Sequence, residues 1–140
     1  MRALYVFVIA LGLVGCGTPT ATTPAPPNSP QSTITLTVKT IADADLAGVK
    51  TVIALRDQGK LSQANTAAIE TWLGFVANAD KQVSAILANG QPWAQQKAAI
   101  LTLLGTVTAP AIANAVDPGA QVVIAQIMTL VNQIRAQVQA

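Results

Sequence analysis

Acidic residues are the first candidates for chemistry in this sequence of 140 residues. Asp43, Asp45 and Gly48 match the opening of a calcium-binding loop, D-x-D-x-x-G. Such a loop needs an oxygen ligand at its fifth position and a glutamate at its twelfth, but Ala47 and Ala54 occupy those places. We therefore interpret the two aspartates as acids in the first turns of a helix, where the helix dipole favours negative charge.

Glu70 and Asp80 form a second possible pair of acids. They lie too far apart along one predicted helix to share a proton-transfer site unaided. Glu70 has the character of a solvated edge residue. Asp80 has the same heptad position as Leu73 and Leu87, so we expect it at an open end of the fold or paired with a lysine. A functional acid is the alternative for Asp80.

The sequence contains none of the other common catalytic arrangements. Histidine is absent, which removes the usual general base for a serine or threonine nucleophile and the usual metal ligand. No phosphate-binding glycine loop is present. The eight Lys and Arg and six Asp and Glu residues form no basic patch for nucleic acid. We predict a protein that is not an enzyme, with no cofactor, no metal site and no nucleic-acid partner.

Cys16 is the single cysteine, so it cannot form an internal disulfide. Before it, Arg2 supplies a positive charge and residues 4–13 supply an apolar run of signal-peptide length. This run is shorter than the ~20 apolar residues that span a bilayer. The leader ends on Leu13, Val14 and Gly15, directly before the cysteine.

The order Leu13-Val14-Gly15-Cys16 resembles the lipobox of bacterial lipoproteins. The resemblance covers only residues 1–16 and implies that Cys16 is modified with a diacylglycerol, that the leader is cut after Gly15, and that the new amine is often acylated. It implies a lipid bilayer as partner through acyl chains such as palmitate, and a place in the bacterial cell envelope. Gly17, rather than an aspartate, after the cysteine favours the outer membrane, on its periplasmic or surface face, in a Gram-negative host.

A tract rich in proline and threonine follows the cysteine. Residues 17–32 contain five prolines and no charged residue. Such a segment cannot bury a core, and at ~3.1 Å per residue it spans at most ~50 Å. We interpret it as a tether, with a proline-rich ligand for a partner as the alternative.

Four helices are predicted after the tether. Residues 32–41 alternate like a strand and have no second strand to pair with, so we interpret them as an extended lead-in that passes into a helix within 37–41. The first helix then ends at Gly59, and the second begins after Ser62 and ends at Asn89-Gly90. The predicted apolar positions of the first helix are Val38, Ile41, Ala42, Leu46, Val49, Val52 and Ile53; those of the second are Ile69, Trp72, Leu73, Val76, Val83, Ile86 and Leu87.

The second half of the chain predicts the other two helices. Pro92 suits the first turn of the third helix, and Pro110 should kink or break that helix near Val107. Asp117-Pro118 is a strong start signal for the fourth helix, which we expect to continue to about Gln137. Its apolar side contrasts with a side of amides and hydroxyls, on which Val122 is the one large apolar residue.

The predicted fold class is all-α: an antiparallel four-helix bundle with the third helix kinked or broken near Pro110. We assign residues 1–15 to a lipoprotein signal peptide, residues 16–33 to the lipidated cysteine and tether, and residues 34–140 to the helical domain. Trp72 and Trp93 are expected to be contacts within the bundle, with partner anchors as the alternative.

These features predict a membrane-anchored envelope lipoprotein with a non-catalytic binding or structural domain and an envelope protein as its partner. In outline it is similar to phage superinfection-exclusion lipoproteins, with no matching motif in the helical domain. The alternative is a membrane-active protein that inserts residues 98–134 as a hairpin, because residues 98–116 and 118–134 contain no charge. Against the hairpin, the fourth helix would bury its row of polar side chains in the membrane.

Overall fold

The computed structural model describes residues 26–27, 29–112 and 116–140. The predicted signal peptide, Cys16 and the first part of the tether lie outside these residues. The described chain consists of four helices: α1 (Pro30–Asp57), α2 (Gln63–Ala88), α3 (Trp93–Gly105) and α4 (Pro118–Gln139). It contains no β-strand within those ranges, which confirms the prediction of an all-helical domain.

Each helix packs against two of the others. Helix α1 contacts α2 and α4, and α3 contacts the same two helices. This arrangement encloses one core of apolar side chains, the largest of them fully buried: Ile34, Ile41, Ile69, Leu73, Ile100, Ile127 and Ile134. None of the helices in the described ranges combines the length and the apolar character needed to cross a membrane.

Helix α1 begins earlier than the sequence analysis predicted. The Ser29 side chain accepts a hydrogen bond from the Ser32 amide, and Pro30 occupies the first turn. Residues 34–40 are therefore helical, and the extended lead-in is wrong. The strand-like alternation depended on Leu36, whose side chain is 67% exposed, whereas Ile34 and Val38 are buried one helical turn apart.

The remaining helix ends follow the predicted signals. Gly59 has φ +70° and its amide donates to the Arg56 carbonyl, while Lys60 donates to the Leu55 carbonyl, which is a Schellman end. Ser62 caps α2 through the Asn65 amide, and Asp117 caps α4 through the Gly119 amide. Gly90, with φ +70°, follows α2 as expected.

Helix α3 is short. It ends at Gly105, and residues 106–112 and 116–117 are not helical. The sequence analysis placed the interruption near Pro110, a position that lies inside this non-helical connection. The Val107 side chain is nevertheless buried, so the connection continues the core beyond the end of the helix.

The buried face of α1 differs from the predicted face. Leu46 and Ile53 were predicted to face the core, but their side chains are 58% and 37% exposed. Gly48 is buried instead, and a Cβ atom at that position would lie 2.8 Å from Val123 Cγ1 of α4. The small residue therefore permits a close approach of α1 to α4. As a result, the buried face of α1 contains Gly48 and is not the face that carries the most large apolar residues.

Candidate functional site

The most unusual group in the core is the carboxylate of Asp80. Its side chain lies on the buried face of α2, in the same row as Leu73, Val76 and Val83. Only 8% of the residue is exposed. A carboxyl group at such a position is costly unless it is paired or neutral, because burial removes the water that stabilises the ionised form.

Asp45, on the neighbouring helix α1, affects the ionisation of Asp80. Asp45 is partly exposed, but its Oδ1 atom is buried and receives no hydrogen bond. Burial raises the pKa of Asp45. Burial, together with the negative charge of Asp45, raises the pKa of Asp80 to about 7. Asp80 is therefore harder to ionise than an ordinary aspartate.

In the part of the chain that the structure describes, no cation forms an ion pair with these acids. Among the described residues, the only ion pair joins Arg56 and Asp57, neighbours on the exposed end of α1. Lys81 follows Asp80 in sequence but is exposed. The described chain also contains no group of three or more His, Cys, Asp or Glu side chains that could hold a metal ion. With its pKa raised to about 7, Asp80 can bind and release a proton near neutral pH.

The structure corrects two predictions about the acids. Asp43 and Asp45 lie in the middle of α1, not in its first turns, because the helix begins at Pro30. Asp80 is neither at an open end of the fold nor paired with a lysine; it is buried within α2. Glu70 is exposed, as expected of an edge residue. Sequence reasoning considered Glu70 as a partner of Asp80 and rejected it, and it missed the influence of Asp45, which is on a different helix.

A shallow groove of about 520 Å³ lies between α1 and α4. Apolar atoms form most of its surface, while Gln126 and Thr129 add an amide and a hydroxyl. Val122, which is 53% exposed, lies in this groove, and its position on the polar side of α4 was predicted. The lining residues are Ala44, Val122, Ala125, Gln126, Thr129 and Leu130.

Arg135 joins α4 to the end of α3, a role that its sequence position did not reveal. Its Nη2 atom donates to the carbonyl of Leu104 and, at 2.8 Å, to that of Val107. Its Nη1 atom donates to Asn132 Oδ1 at 2.8 Å. A positive charge at the carboxyl end of a helix satisfies free carbonyl groups and interacts favourably with the helix dipole.

Two other polar side chains connect neighbouring elements. Trp72 Nε1 donates to the Thr108 carbonyl at 2.7 Å, which fixes the connection after α3 to α2. Gln96 is buried and its Nε2 atom donates to Asn89 Oδ1 at 3.2 Å. Trp72 is buried and Trp93 packs against the core. Both tryptophans therefore contact the helical core, as predicted.

The structure does not test the predicted lipidation residue or its flank. Cys16, Leu13, Val14 and Gly15 all lie outside the described residues. The modification of Cys16 therefore stays a prediction. Comparison with known proteins adds no candidate residue: no protein-family model matches the chain, and neither a curated protein nor a solved structure is significantly similar to it.

Proposed function

We propose that this protein is a bacterial cell-envelope lipoprotein, held at a membrane by acylated Cys16. Its helical domain, an antiparallel four-helix bundle, acts without catalysis by binding or supporting another envelope component, as exclusion-type lipoproteins do. The observation that carries the proposal is the sequence from Arg2 to Cys16, in which a charge, an apolar run and the lipobox-like end occur in that order.

The start of α1 supports this arrangement. Residues 17–29 separate the cysteine from Pro30, where the first helix begins. This segment is rich in proline and threonine and has no charged residue, a composition that favours an extended spacer. A helical domain that begins directly after it could stand clear of the lipid surface.

The hairpin alternative requires residues 98–134 to leave the core. Ile100, Leu104, Val107, Ile127 and Val131 of that segment are all buried among the four helices. Inserting them into a membrane would expose the facing side chains of α1 and α2 to water, at ~25 cal/mol per Å² of apolar surface. This cost supports the bundle.

Metabolic labelling with palmitate tests the anchor. We expect the wild-type chain to incorporate label and to have a mature amino terminus at Cys16, measured by mass spectrometry. Cys16→Ala should abolish both labelling and leader cleavage. Thr18→Ala, just outside the lipobox-like residues, is the control and should behave as the wild type. Unchanged labelling and cleavage in Cys16→Ala would contradict the proposal.

A second experiment separates the bundle from the hairpin. The leader is replaced by a secretory signal peptide without a lipobox, followed by residues 17–140. If the helical domain stays out of the membrane, the processed protein will be released by alkaline washing of the membranes. Retention in the washed membranes would favour the hairpin, because no lipid is attached in this variant.

A further inference from the structure

We propose that the outer face of α1 and α4 binds a second copy of this chain, so that the protein forms a symmetric dimer in which the two α4 helices pack side by side. The inference goes beyond the proposed function and does not depend on it, because it uses only residues of the helical domain. The face, which we call the outer α1–α4 face, consists of two helical rows without charge: Thr40, Ala44, Ala47 and Thr51 on α1, and Val122, Gln126, Thr129 and Gln133 on α4.

The groove between α1 and α4 places the two rows side by side. Ala44 of α1 and Val122, Gln126 and Thr129 of α4 all line it. The other members follow these residues at intervals of three, four or seven positions, which keeps them on the same side of each helix. All eight side chains are exposed or partly exposed, so the face is open to solvent in a single chain.

The first argument is the lack of charge on α4. Arg135 is the one charged residue of this helix, and its guanidinium donates to the carbonyl groups of Leu104 and Val107 at the end of α3. The surface of a soluble domain usually consists of charged residues to about a quarter or a third. The core of a protein–protein interface, in contrast, is depleted in charged residues. The composition of α4 therefore indicates a face that another protein surface covers.

The outer α1–α4 face differs in this respect from another exposed apolar part of α1. Leu46 and Ile53 are exposed, but Lys50 lies between them, about one helical turn from each. An ammonium group is strongly hydrated, so it keeps water at that surface. The uncharged face is therefore the better candidate for a stable contact.

The second argument is shape. The groove of about 520 Å³ has mostly apolar walls, and Val122, which is 53% exposed, lies at its lining together with Leu130. In two α4 helices related by a two-fold axis through Gln126, residue 122 of one copy is opposite residue 130 of the other. Each Val122 would then pack against Leu130 of the second copy and fill part of its groove. The same contact is made twice, as an interface between identical chains requires.

The third argument concerns the chemistry of the partner. An anionic membrane surface would be attracted by cations, and the outer α1–α4 face has none. It also has no carboxylate to attract a basic partner. An amide, however, both donates and accepts hydrogen bonds, so Gln126 can pair with Gln126 of the second copy across the axis. Identical charges at that position would repel each other, which makes an uncharged face suited to a copy of itself.

The area of the face is large enough for a specific dimer. Helix α4 has 22 residues and is therefore ~33 Å long. Two packed helices, each ~10 Å wide and with axes ~10 Å apart, form a face that is ~20 Å wide. Two copies would then bury ~1,300 Å² in total, which falls in the range of specific interfaces above ~1,200 Å².

Cross-linking of the full-length protein in its membranes with a short bismaleimide tests the axis. Gln126→Cys should give a covalent dimer, because the two new thiols lie close to the axis and to each other. Gln95→Cys is the matched control: Gln95 is exposed on α3, which contacts α2 and α4 and not α1 in the described structure, and this variant should stay monomeric. A cross-linked wild type would report a free thiol at Cys16, which is a failure of the lipid anchor and not of the dimer.

Charge at the axis provides the second test. Gln126→Glu and Gln126→Lys each place two like charges opposite each other, so each variant alone should have a dimer dissociation constant at least about tenfold higher than the wild type. Sedimentation equilibrium of the full-length protein in density-matched micelles measures this constant. When the two variants are co-expressed with different tags, they should co-purify as a mixed dimer, because opposite charges attract. The same pair of changes at Gln95 should leave the wild-type dimer unaltered.

Three results would overturn the proposal. The first is a wild-type chain that sediments as a monomer and a Gln126→Cys variant that forms no cross-linked dimer. The second is a cross-link from Gln126→Cys to a different protein, identified by mass spectrometry, since another envelope component would then cover the face. The third is a dimer that persists in both charged variants without preference for the mixed pair, because Gln126 would then lie away from the axis.

Discussion

Helix α1 has two neighbours and meets them in opposite ways. Against α4 it presents Gly48, and the missing side chain allows close contact with Val123. Against α2 it presents Asp45, whose charge disfavours ionisation of buried Asp80. The first interface depends on shape, and we expect the second to depend on protonation. A single helix would then combine a contact that is independent of pH with one that is not.

The largest expected effect is the response of the α1–α2 interface to pH. Because the pKa of Asp80 is raised in the folded protein, the folded state binds more protons than the unfolded state above the ordinary value of 3.8. The free energy of unfolding should therefore be highest in acid, fall between about pH 4 and about pH 7, and level off above that range. A pKa of about 7 corresponds to a loss on the order of 4 kcal/mol.

Urea unfolding, followed by the fluorescence of Trp72 and Trp93, measures this response. Asp80→Asn should flatten the profile over the same range. If the free energy of unfolding of the wild type rises with pH over this range, the expected sign is wrong. The two interfaces would then not differ in the way that we expect.

The next largest effect concerns the α1–α4 interface. Gly48→Leu should lower the free energy of unfolding by about 3 kcal/mol, because the new side chain must displace Val123 of α4. Unlike the effect of Asp80, this loss should be the same at acidic and mildly alkaline pH. Unfolding curves of the variant at both pH values provide the measurement. A pH-dependent loss would show that the two faces of α1 are coupled.

We expect the charge of Arg135, unlike that of Asp80, to stabilise the fold. Arg135→Met retains much of the side-chain length but removes the donors to the Leu104 and Val107 carbonyls. We expect a loss of about 2 kcal/mol, typical of hydrogen bonds to a charged group. Calorimetric unfolding of the variant checks this value. An unchanged melting temperature would mean that water replaces the guanidinium at the end of α3.

The smallest effect is a gain. Gly74 lies in α2, and a Cβ atom there would meet nothing within 4 Å. Gly74→Ala should therefore stabilise the protein by about 1 kcal/mol, because alanine loses less backbone freedom in a helix. It is the matched control for Gly48, since both glycines are within helices and only one has a neighbour. Equal gains at both positions, measured with Gly48→Ala, would contradict the close contact with Val123.

Local signals in the sequence predicted most of the helix ends. Ser62, Gly59 and Asp117 act through hydrogen bonds to residues close in sequence, so their effect does not depend on the rest of the fold. The start of α1 was missed because Ser29 and Pro30 were assigned to the tether, although a serine followed by proline is itself a start signal. The proline-rich composition of the preceding residues masked it.

The candidate site could not be predicted from the sequence in the same way. Asp80 was recognised as unusual from its heptad position, but its partner Asp45 is on another helix. The face of α1 was assigned from its large apolar residues, and this placed Leu46 inward and left Gly48 without a role. The hydrophobicity of a side chain measures the free energy gained when it is buried. It says nothing about the space that a neighbouring helix requires for close packing.

The sequence by itself determined an all-helical domain, the ends of α2 and α4, and a leader that predicts lipid attachment at Cys16. These features depend on local hydrogen bonding, backbone preferences and helical periodicity, which act over a few residues. Only the tertiary structure decided which face of α1 is buried and that the charge of Asp45 opposes the ionisation of Asp80. That outcome depends on how closely three helices can approach, and their approach is set by the packing of side chains far apart in the chain.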